Sequence, residues 1–180
     1  MDDRLLPHDI TTGRLLLRVP VPEDAPELFN SYAQDPEVVR YLTWKPSKTL
    51  ADSKHHIQDR ILAWRRGNVC AWSIIQVEYG RFIGMIELRI KDNVASVGYV
   101  LAHATWGNGY ATEALNAVIC AGLALPQILR VVGLCDVENI ASMRVMKKAG
   151  MVPEGVLRRY VVHPNISREP RDVYSFAITK

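Results

Sequence analysis

A short segment between an apolar run and an amphipathic helix has the residue types of an anion-binding loop. Residues 96–101 favour a strand, and from Ala111 onward the apolar side chains recur at helical spacing. Between these elements lie Gly107 and Gly109, which allow a tight turn and the close approach of a ligand to the backbone. The first helical turn directs unpaired N–H groups and the positive end of the helix dipole into this loop. The arrangement therefore predicts either a plain turn or a phosphate site.

A second pair of polar residues lies at the start of a later helix. Asn139 and Ser142 are three residues apart, so their side chains project from the same side of that helix. The spacing alone is typical of a helix cap followed by a solvated serine. A serine hydroxyl also has the donor and the reach to contact a bound ligand, and the spacing leaves both interpretations open.

The periodicity of the remaining chain predicts an α+β fold with the glycine loop at its central crossover. Three strands over residues 70–78, 81–90 and 95–101 are separated by short turns, which is typical of an antiparallel meander. The helix after the loop joins the third strand to the apolar run 129–135, so these two strands should be parallel. Ligands favour the crevice at such a crossover. The other predicted elements are a strand at 15–19, helices at 23–34, 36–42, 49–66 and 139–149, and a closing hairpin of 154–163 and 171–178.

Length and composition indicate a single globular domain over residues 1–180, since 48% of the residues are hydrophobic and only 23% are charged. The net charge of +3 comes without a run of Lys and Arg, so nucleic-acid binding is not implied. The histidines lack a metal-ligand spacing, and the three well-separated cysteines are expected to be buried free thiols. Residues 1–4 lack the features of a signal peptide, and no apolar run is long enough to span a membrane. These observations predict a cytoplasmic protein without a metal or a membrane partner.

Four stretches of the sequence, in this order and at these spacings, resemble the GNAT superfamily of acetyl-CoA-dependent N-acetyltransferases. They are residues 12–18, 97–114, 139–151 and 154–158. The resemblance covers nearly the whole chain and is strongest to the branch that contains the ribosomal-protein N-terminal acetyltransferases RimJ and RimL. It implies a mixed, mostly antiparallel sheet with helices on both faces and a splayed central strand pair that admits the pantetheine arm of the cofactor.

The resemblance also implies acetyl-CoA as the co-substrate and assigns its contacts. The family usually has Gln or Arg where Trp106 stands and a basic residue where Asn108 stands, so phosphate binding should depend here on backbone N–H groups and the helix dipole. Asn139 is implied to contact the cofactor, and Ser142 to lie near the thioester sulfur as a candidate general acid. The remaining implied cofactor contacts are Val100, Leu101, His103, Gly107, Asn108, Gly109, Tyr110, Ala111 and Thr112.

The sequence does not identify the residue that deprotonates the attacking amine. Many relatives carry a Glu before the Gly-Tyr pair of the third sheet strand, where this chain has Ser96. Glu87 on the neighbouring strand is one alternative, although a solvent-facing strand carboxylate is an equally good interpretation of it. His103, whose unperturbed pKa suits a base, and a chain of water molecules are the others.

The resemblance assigns the acceptor pocket to the connection between the second and third helices, which contains Tyr41 and Trp44, with residues 163–171 as the opposite wall. The expected enzyme is an acyltransferase in which a primary amine, either a protein N-terminus or a small molecule, attacks acetyl-CoA directly in a ternary complex. The alternative is a non-catalytic acyl-CoA-binding sensor or interaction module, because Ser96 cannot replace the missing Glu. Whether the chain forms a homodimer is left open.

Overall fold

The computed structural model describes residues 6–180, and the prediction made for residues 1–4 lies outside them. Within this range the chain forms one eight-stranded sheet in the order β1-β2-β3-β4-β5-β6-β8-β7, flanked by helices. The strands are β1 (Asp9–Thr11), β2 (Leu15–Arg18), β3 (Val69–Gln76), β4 (Arg81–Lys91), β5 (Val94–Leu101), β6 (Arg130–Asp136), β7 (Val152–Val161) and β8 (Arg171–Thr179). The helices are α1 (Asp24–Leu28), which continues as a π-helical turn (Phe29–Ala33), α2 (Pro36–Val39), α3 (Leu50–Arg66), α4 (Tyr110–Ala124) and α5 (Ile140–Lys148). The predicted α+β class is confirmed.

Local capping signals account for several of the helix boundaries. The Asp35 side chain accepts a hydrogen bond from the backbone N–H of Glu37 at the start of α2, and Thr49 forms a reciprocal capping box with Asp52 at the start of α3. Gly67 ends α3 in the left-handed conformation. The predicted second helix is shorter than expected, and β1 was not predicted because its three residues have no distinctive pattern.

The sheet has a hydrophobic core on each face, as the mixed-sheet prediction requires. On one face α4 and α5 cover a core that includes Ile86, Leu88 and Leu115. On the other face α1 and α3 cover a smaller core that includes Leu28 and Ile57. Helices therefore lie on both faces of the sheet, and strands β4 and β5 are buried between the two cores.

The two central strands separate halfway along their length. The parallel strands β5 and β6 pair only from Val94 and Arg130 to Val97 and Gly133. Beyond that point β5 remains paired with β4 up to Leu101, whereas β6 remains paired with β8. The splayed central pair is therefore confirmed, and a gap opens between the carboxyl ends of β5 and β6.

Gly84 sets the position of β5 beside this gap. A Cβ atom at Gly84 would collide with the carbonyl oxygen of Val100, so only glycine allows β4 to lie this close to the end of β5. The N–H of Ala102 donates to the carbonyl of Ile83 at 2.8 Å, which holds the chain as it leaves the sheet. The end of β5 is thus fixed by its neighbour β4 on the side away from the gap.

Candidate active site

Within the described part of the chain, the glycine loop leads into α4 without a side-chain cap at the start of the helix. Gly107 and Gly109 have φ angles of 79° and 80°, a left-handed conformation that favours glycine. Asp35, Thr49 and Asn139 provide side-chain caps for α2, α3 and α5, whereas no side chain among residues 6–180 caps α4 at Gly109. The first hydrogen bond within α4 is donated by the N–H of Glu113, so helix geometry leaves the preceding N–H groups for a ligand. This is the arrangement that binds an anion.

Side chains of the loop turn inward and stabilise the loop itself. The side-chain amide of Asn108 donates to the carbonyls of Thr105 and Trp106 at 3.2 and 3.1 Å. The indole N–H of Trp106 donates to the carbonyl of Leu101 at 2.9 Å. The side-chain N–H groups of Asn108 are therefore used within the loop, and the Leu101 carbonyl already has a partner.

Arg14, in the turn between β1 and β2, clamps the loop from outside. Its Nη1 donates to the carbonyl of Asn108 at 2.9 Å, its Nε donates to Glu113 at 2.7 Å, and its guanidinium lies 4.6 Å from the centre of the Tyr110 ring. The hydroxyl of Thr12 also donates to Glu113, at 2.6 Å. Burial acts to raise the pKa of Glu113, but the hydrogen bonds from Thr12 and Arg14 outweigh it and hold the pKa below its ordinary value.

The start of α5 brings Ser142 to the end of β5 that lies beside the gap. Asn139 caps the helix by accepting the N–H of Ser142 at 3.1 Å through Oδ1, which leaves its Nδ2 for other contacts. The hydroxyls of Ser142 and Tyr99 lie 2.8 Å apart, and the Tyr99 hydroxyl also donates to the Ser142 carbonyl at 3.2 Å. Burial raises the pKa of Tyr99, so its hydroxyl stays protonated. The cap interpretation of Asn139 is confirmed, and Ser142 contacts a half-buried tyrosine as well as solvent.

A thiol on β6 lies in the same cluster. Cys135 is buried, and this burial raises its pKa to about 11, helped by the charge of Asp136 and opposed by a hydrogen bond with Ser142. The thiol is therefore protonated and unreactive at neutral pH. Cys70 is also buried, but Cys120 is exposed, so the expectation of three buried thiols is wrong for Cys120.

Glu87 lies on β4, which β5 separates from the gap, and its carboxylate is already paired with arginines. Its Oε2 accepts from Arg60 of α3 at 2.9 Å, and its Oε1 accepts from Arg89 on its own strand. Its side chain is 16% exposed and it pairs across the sheet with Gly98, the first residue of β5 beyond the pairing with β6. The interpretation of Glu87 as a solvent-facing carboxylate is therefore wrong. A role as a base would require one carboxylate oxygen to leave its arginine partner, because both oxygens are paired in this structure.

The other candidate bases lie at the margins. His103 is half exposed, and its Nδ1 faces two carboxylates at the start of α2, Glu37 at 3.4 Å and Asp35 at 3.6 Å. Its ring lies 4.5 Å from the ring of Trp106, which places it at the mouth of the glycine loop. Ser96 directs its hydroxyl towards the carbonyl of Arg89 at 3.5 Å.

The connection between α2 and α3 contacts the β7–β8 connection, but none of residues 163–171 lines the groove beside Trp44. Asn165 donates to the carbonyls of Val39 and Trp44 at 2.6 and 2.8 Å. The ring of Tyr41 packs edge-to-face against His163, with ring centres 6.2 Å apart. An open groove of ≈ 370 Å³ runs from Trp44 along the first turns of α3. Its polar lining residues are Lys45, Ser47, Lys48, Asp52, His55, His56 and Asp59.

A buried carboxylate at the end of β6 fixes the segment that leads into α5. Asp136 accepts from Arg171 at 2.6 Å and from the N–H of Glu138 at 2.9 Å, and His163 lies 3.6 Å away. Burial acts to raise the pKa of Asp136, but the bond from Arg171 outweighs it and the pKa lies below its ordinary value. Arg171 therefore points inward to Asp136 rather than forming a wall of the groove.

Sequence reasoning missed three residues that this geometry brings to the site. Tyr99, Arg14 and Asp136 make their contacts with residues distant in the sequence, so no local pattern reveals them. The signals that were present are the alternation of β5, which places Tyr99 on the face of α4 and α5, and the unusual Asp directly after the apolar run of β6.

In the described part of the chain, no group of three or more His, Cys, Asp or Glu side chains is arranged to hold a metal ion. No helix formed by residues 6–180 is long and apolar enough to cross a membrane.

Comparison with known proteins agrees with this architecture. The chain is 28% identical over 174 residues to YoaA of Bacillus subtilis, named as an N-acetyltransferase, covering 95% of this chain and 96% of YoaA. The fold matches the microcin C7 self-immunity acetyltransferase MccE in complex with acetyl-CoA and AMP, with a TM-score of 0.85, 23% identity and 99% and 100% of the two chains covered.

It also matches a Salmonella typhimurium acetyltransferase that modifies the N-terminal serine of the 50S ribosomal subunit protein L7/L12, with a TM-score of 0.82, 21% identity and 94% and 96% covered. These two structural likenesses show a shared fold. Residues 14–152 match the family described as the acetyltransferase (GNAT) domain. With most of its length matched, including β2 to β6 and the glycine loop, the chain belongs to the GNAT acetyltransferase family.

Proposed function

We propose that the protein transfers the acetyl group of acetyl-CoA to a primary amine by direct attack in a ternary complex. The observation that carries the proposal is the relation of three elements around one gap. In this proposal one extended ligand contacts the uncapped start of α4, the parted ends of β5 and β6, and the Ser142–Tyr99 pair. The structural relative MccE binds acetyl-CoA on the same fold, which supports this choice of ligand.

In this proposal the main chain binds the phosphates. The N–H groups of Gly109, Tyr110, Ala111 and Thr112 face the pyrophosphate, and the α4 dipole adds to their attraction. Gly107 and Asn108 contribute through their backbone, because the Asn108 amide is used within the loop. The pantetheine arm runs along Val100 and Leu101 in the gap, with His103 at its mouth and the free Nδ2 of Asn139 on its other side.

The chemistry needs few groups once both substrates are held together. A neutral amine attacks the thioester carbonyl carbon, a C–N bond forms, the C–S bond breaks, and the amine loses one proton while the sulfur gains one. A thiol has an unperturbed pKa of about 8.5, so a weak donor suffices for the leaving sulfur. Ser142 is that donor, and the Tyr99 hydroxyl orients it by a hydrogen bond at 2.8 Å.

The path of the amine proton has two candidate routes. Glu87 accepts it if Arg60 or Arg89 leaves one carboxylate oxygen, since both oxygens are paired in this structure. A water chain to His103 or to bulk solvent is the other route. The pairing of Glu87, together with Ser96 in the position of the usual Glu, is also the observation that favours the second candidate function, a non-catalytic acyl-CoA-binding module.

The acceptor is assigned to the groove beside Trp44; Tyr41, on the same connection, packs against His163 and does not line this groove. Asp52 and Asp59 at this groove suit a cationic amine before it loses its proton, although Lys45 and Lys48 offset part of that charge. The Salmonella relative modifies a protein N-terminus, which supports a peptide among the candidate acceptors. A small amine is the other class that the groove accommodates.

Two measurements on the purified protein test the proposal. Acetyl-CoA at about 100 times its Kd should raise the free energy of unfolding by about 2.7 kcal/mol, which is visible as a thermal shift. Thiol release from acetyl-CoA is then followed across a panel of peptide N-termini, polyamines and other small amines. Absence of a thermal shift with both acetyl-CoA and CoA would refute both candidate functions. A shift without thiol release from any acceptor would select the binding module.

A further inference from the structure

The proposed pyrophosphate loop has no basic side chain of its own. Residues 106–112 contain neither Lys nor Arg. A diphosphate is a multiply charged anion, and backbone N–H groups with a helix dipole supply only partial positive charge. The full positive charge nearest to the loop backbone comes instead from Arg14, on the turn between β1 and β2.

The guanidinium of Arg14 lies against the loop where the helix begins. Its Nη1 is 2.9 Å from the carbonyl oxygen of Asn108, and its Nη2 is 3.5 Å from the position of a Cβ atom on Gly109. The side chain is 50% exposed, so a ligand on the loop can reach it from solvent. Its position is set by the Tyr110 ring as well as by these contacts.

Part of the hydrogen-bonding capacity of Arg14 remains for a ligand. A guanidinium has five N–H donors. Nε donates to Glu113 at 2.7 Å, Nη2 lies 2.7 Å from the same Glu113 oxygen, and Nη1 donates to Asn108, so at most three of the five are used. One N–H on each terminal nitrogen is left over, which is the number that a bidentate contact to a phosphate uses.

The Arg14 side chain also removes an electrostatic obstacle. Glu113 lies in the first turn of α4, where a free carboxylate would repel a bound phosphate. Instead its two oxygens accept from the Thr12 hydroxyl, the Arg14 N–H and the Arg14 guanidinium. Arg14 therefore offsets the repulsion between Glu113 and a bound phosphate, and the guanidinium N–H groups that do not face Glu113 still carry positive charge towards the loop.

We propose that Arg14 is a ligand of the cofactor's pyrophosphate and supplies the positive charge that the glycine loop lacks. The inference rests on the proposed function, since it takes acetyl-CoA as the molecule bound at the loop. It adds a binding residue from a different part of the chain, one that the loop sequence does not contain.

The test compares two acyl donors that differ in their phosphates. The Kd of acetyl-CoA and of S-acetylpantetheine, which has no phosphate, is measured by thermal-shift titration at low salt for the wild type and for Arg14→Gln. Because charge-assisted hydrogen bonds to phosphate are lost, Arg14→Gln should raise the Kd of acetyl-CoA about tenfold or more. It should raise the Kd of S-acetylpantetheine less than about twofold. Arg14→Lys keeps the charge and should recover part of the affinity for acetyl-CoA.

Arg130→Gln is the matched control, because Arg130 forms a comparable exposed pair with Glu154 on β7, away from the glycine loop. It should leave both affinities unchanged. Equal weakening of both donors by Arg14→Gln would show that Arg14 acts only by shaping the loop, and no weakening would show that it does not act at all; either result overturns the inference. A wild type that binds neither acetyl-CoA nor CoA overturns the proposed function and this inference with it.

Discussion

Two loops of the candidate site are stabilised in opposite ways. The glycine loop (residues 106–112) uses its side chains internally, through Asn108 and Trp106, and presents main-chain N–H groups outward. The Trp44 loop (residues 40–48) is held through its main chain by Asn165, and presents side chains to the groove. Binding by main-chain N–H groups suits a ligand that all family members share. Binding by side chains suits a ligand that differs from one family member to the next.

This difference explains why the family and its co-substrate are easier to identify than the acceptor. Backbone geometry needs only glycines at two positions, and such spacing is visible in any sequence. A pocket built from side chains depends on which residues distant segments contribute. The contrast also separates two kinds of variant: changes in the glycine loop should affect the donor, and changes in the Trp44 loop should affect the acceptor.

Ser142→Ala should lower kcat more than any other variant and leave substrate binding by both loops nearly unchanged. Loss of a proton donor to the leaving sulfur predicts a fall in kcat of about 100-fold. The KM of acetyl-CoA and of the acceptor should change by less than about threefold, because neither binding loop is touched. Steady-state thiol release with the best acceptor of the panel measures both parameters.

Two variants place limits on this assignment. Tyr99→Phe removes only the hydroxyl that orients Ser142, so kcat should fall by a smaller factor, about fivefold to tenfold. Ser96→Ala, on the same strand but outside the cluster, should retain wild-type kcat. Full activity of Ser142→Ala would assign the thiolate's proton to another source and leave Asn139 and Ser142 as a helix cap.

Trp44→Ala should weaken binding of the acceptor and leave binding of acetyl-CoA unchanged. Removal of an indole that lines the groove predicts a rise of about tenfold in acceptor KM. The Kd of acetyl-CoA should stay within about twofold of the wild type, as judged by thermal-shift titration. If Trp44→Ala weakened binding of acetyl-CoA and of the acceptor equally, Trp44 would not belong to a separate acceptor pocket, and the proposed division of roles between the two loops would be wrong.

The parts of the site that were predictable are those encoded by neighbouring residues. Asn139 caps α5 as its spacing indicates, and the parting of β5 and β6 follows from the resemblance. The contacts that were not predictable join distant residues: Asn165 to Trp44 across 121 positions, and Tyr99 to Ser142 across 43. Glu87 shows the same limit, because a strand residue facing solvent and one facing α3 have the same local sequence pattern.

Gly109→Ala tests the glycine loop against a glycine of the same conformation elsewhere. An alanine in the left-handed region costs about 1–2 kcal/mol, and the backbone relieves this strain by moving the N–H groups of the loop. The Kd of acetyl-CoA should rise severalfold while acceptor KM stays unchanged. Gly67→Ala is the control, since Gly67 has a φ of +74° with nothing within 4 Å of its Cβ position. Gly67→Ala should lose similar stability but retain its affinity for acetyl-CoA. If both variants bound acetyl-CoA equally weakly, the cause would be a general loss of stability and not a change in the glycine loop.

Glu113→Gln should have the smallest effect, and that effect should depend on pH. The pKa of Glu113 lies below its ordinary value of 4.5, so the carboxylate stabilises the fold above pH 4.5, and that contribution is lost as the pH falls through the lower folded-state value. Above pH 5.5, therefore, the Tm of Glu113→Gln should lie about 2–4 °C below that of the wild type, and the difference should shrink as the pH falls below 4.5. Glu154→Gln removes a carboxylate from an exposed pair and should show less of this dependence. Parallel pH profiles for the wild type and Glu113→Gln would mean that the Arg14–Glu113 pair adds nothing to stability, and the glycine loop would then be held by its internal hydrogen bonds alone.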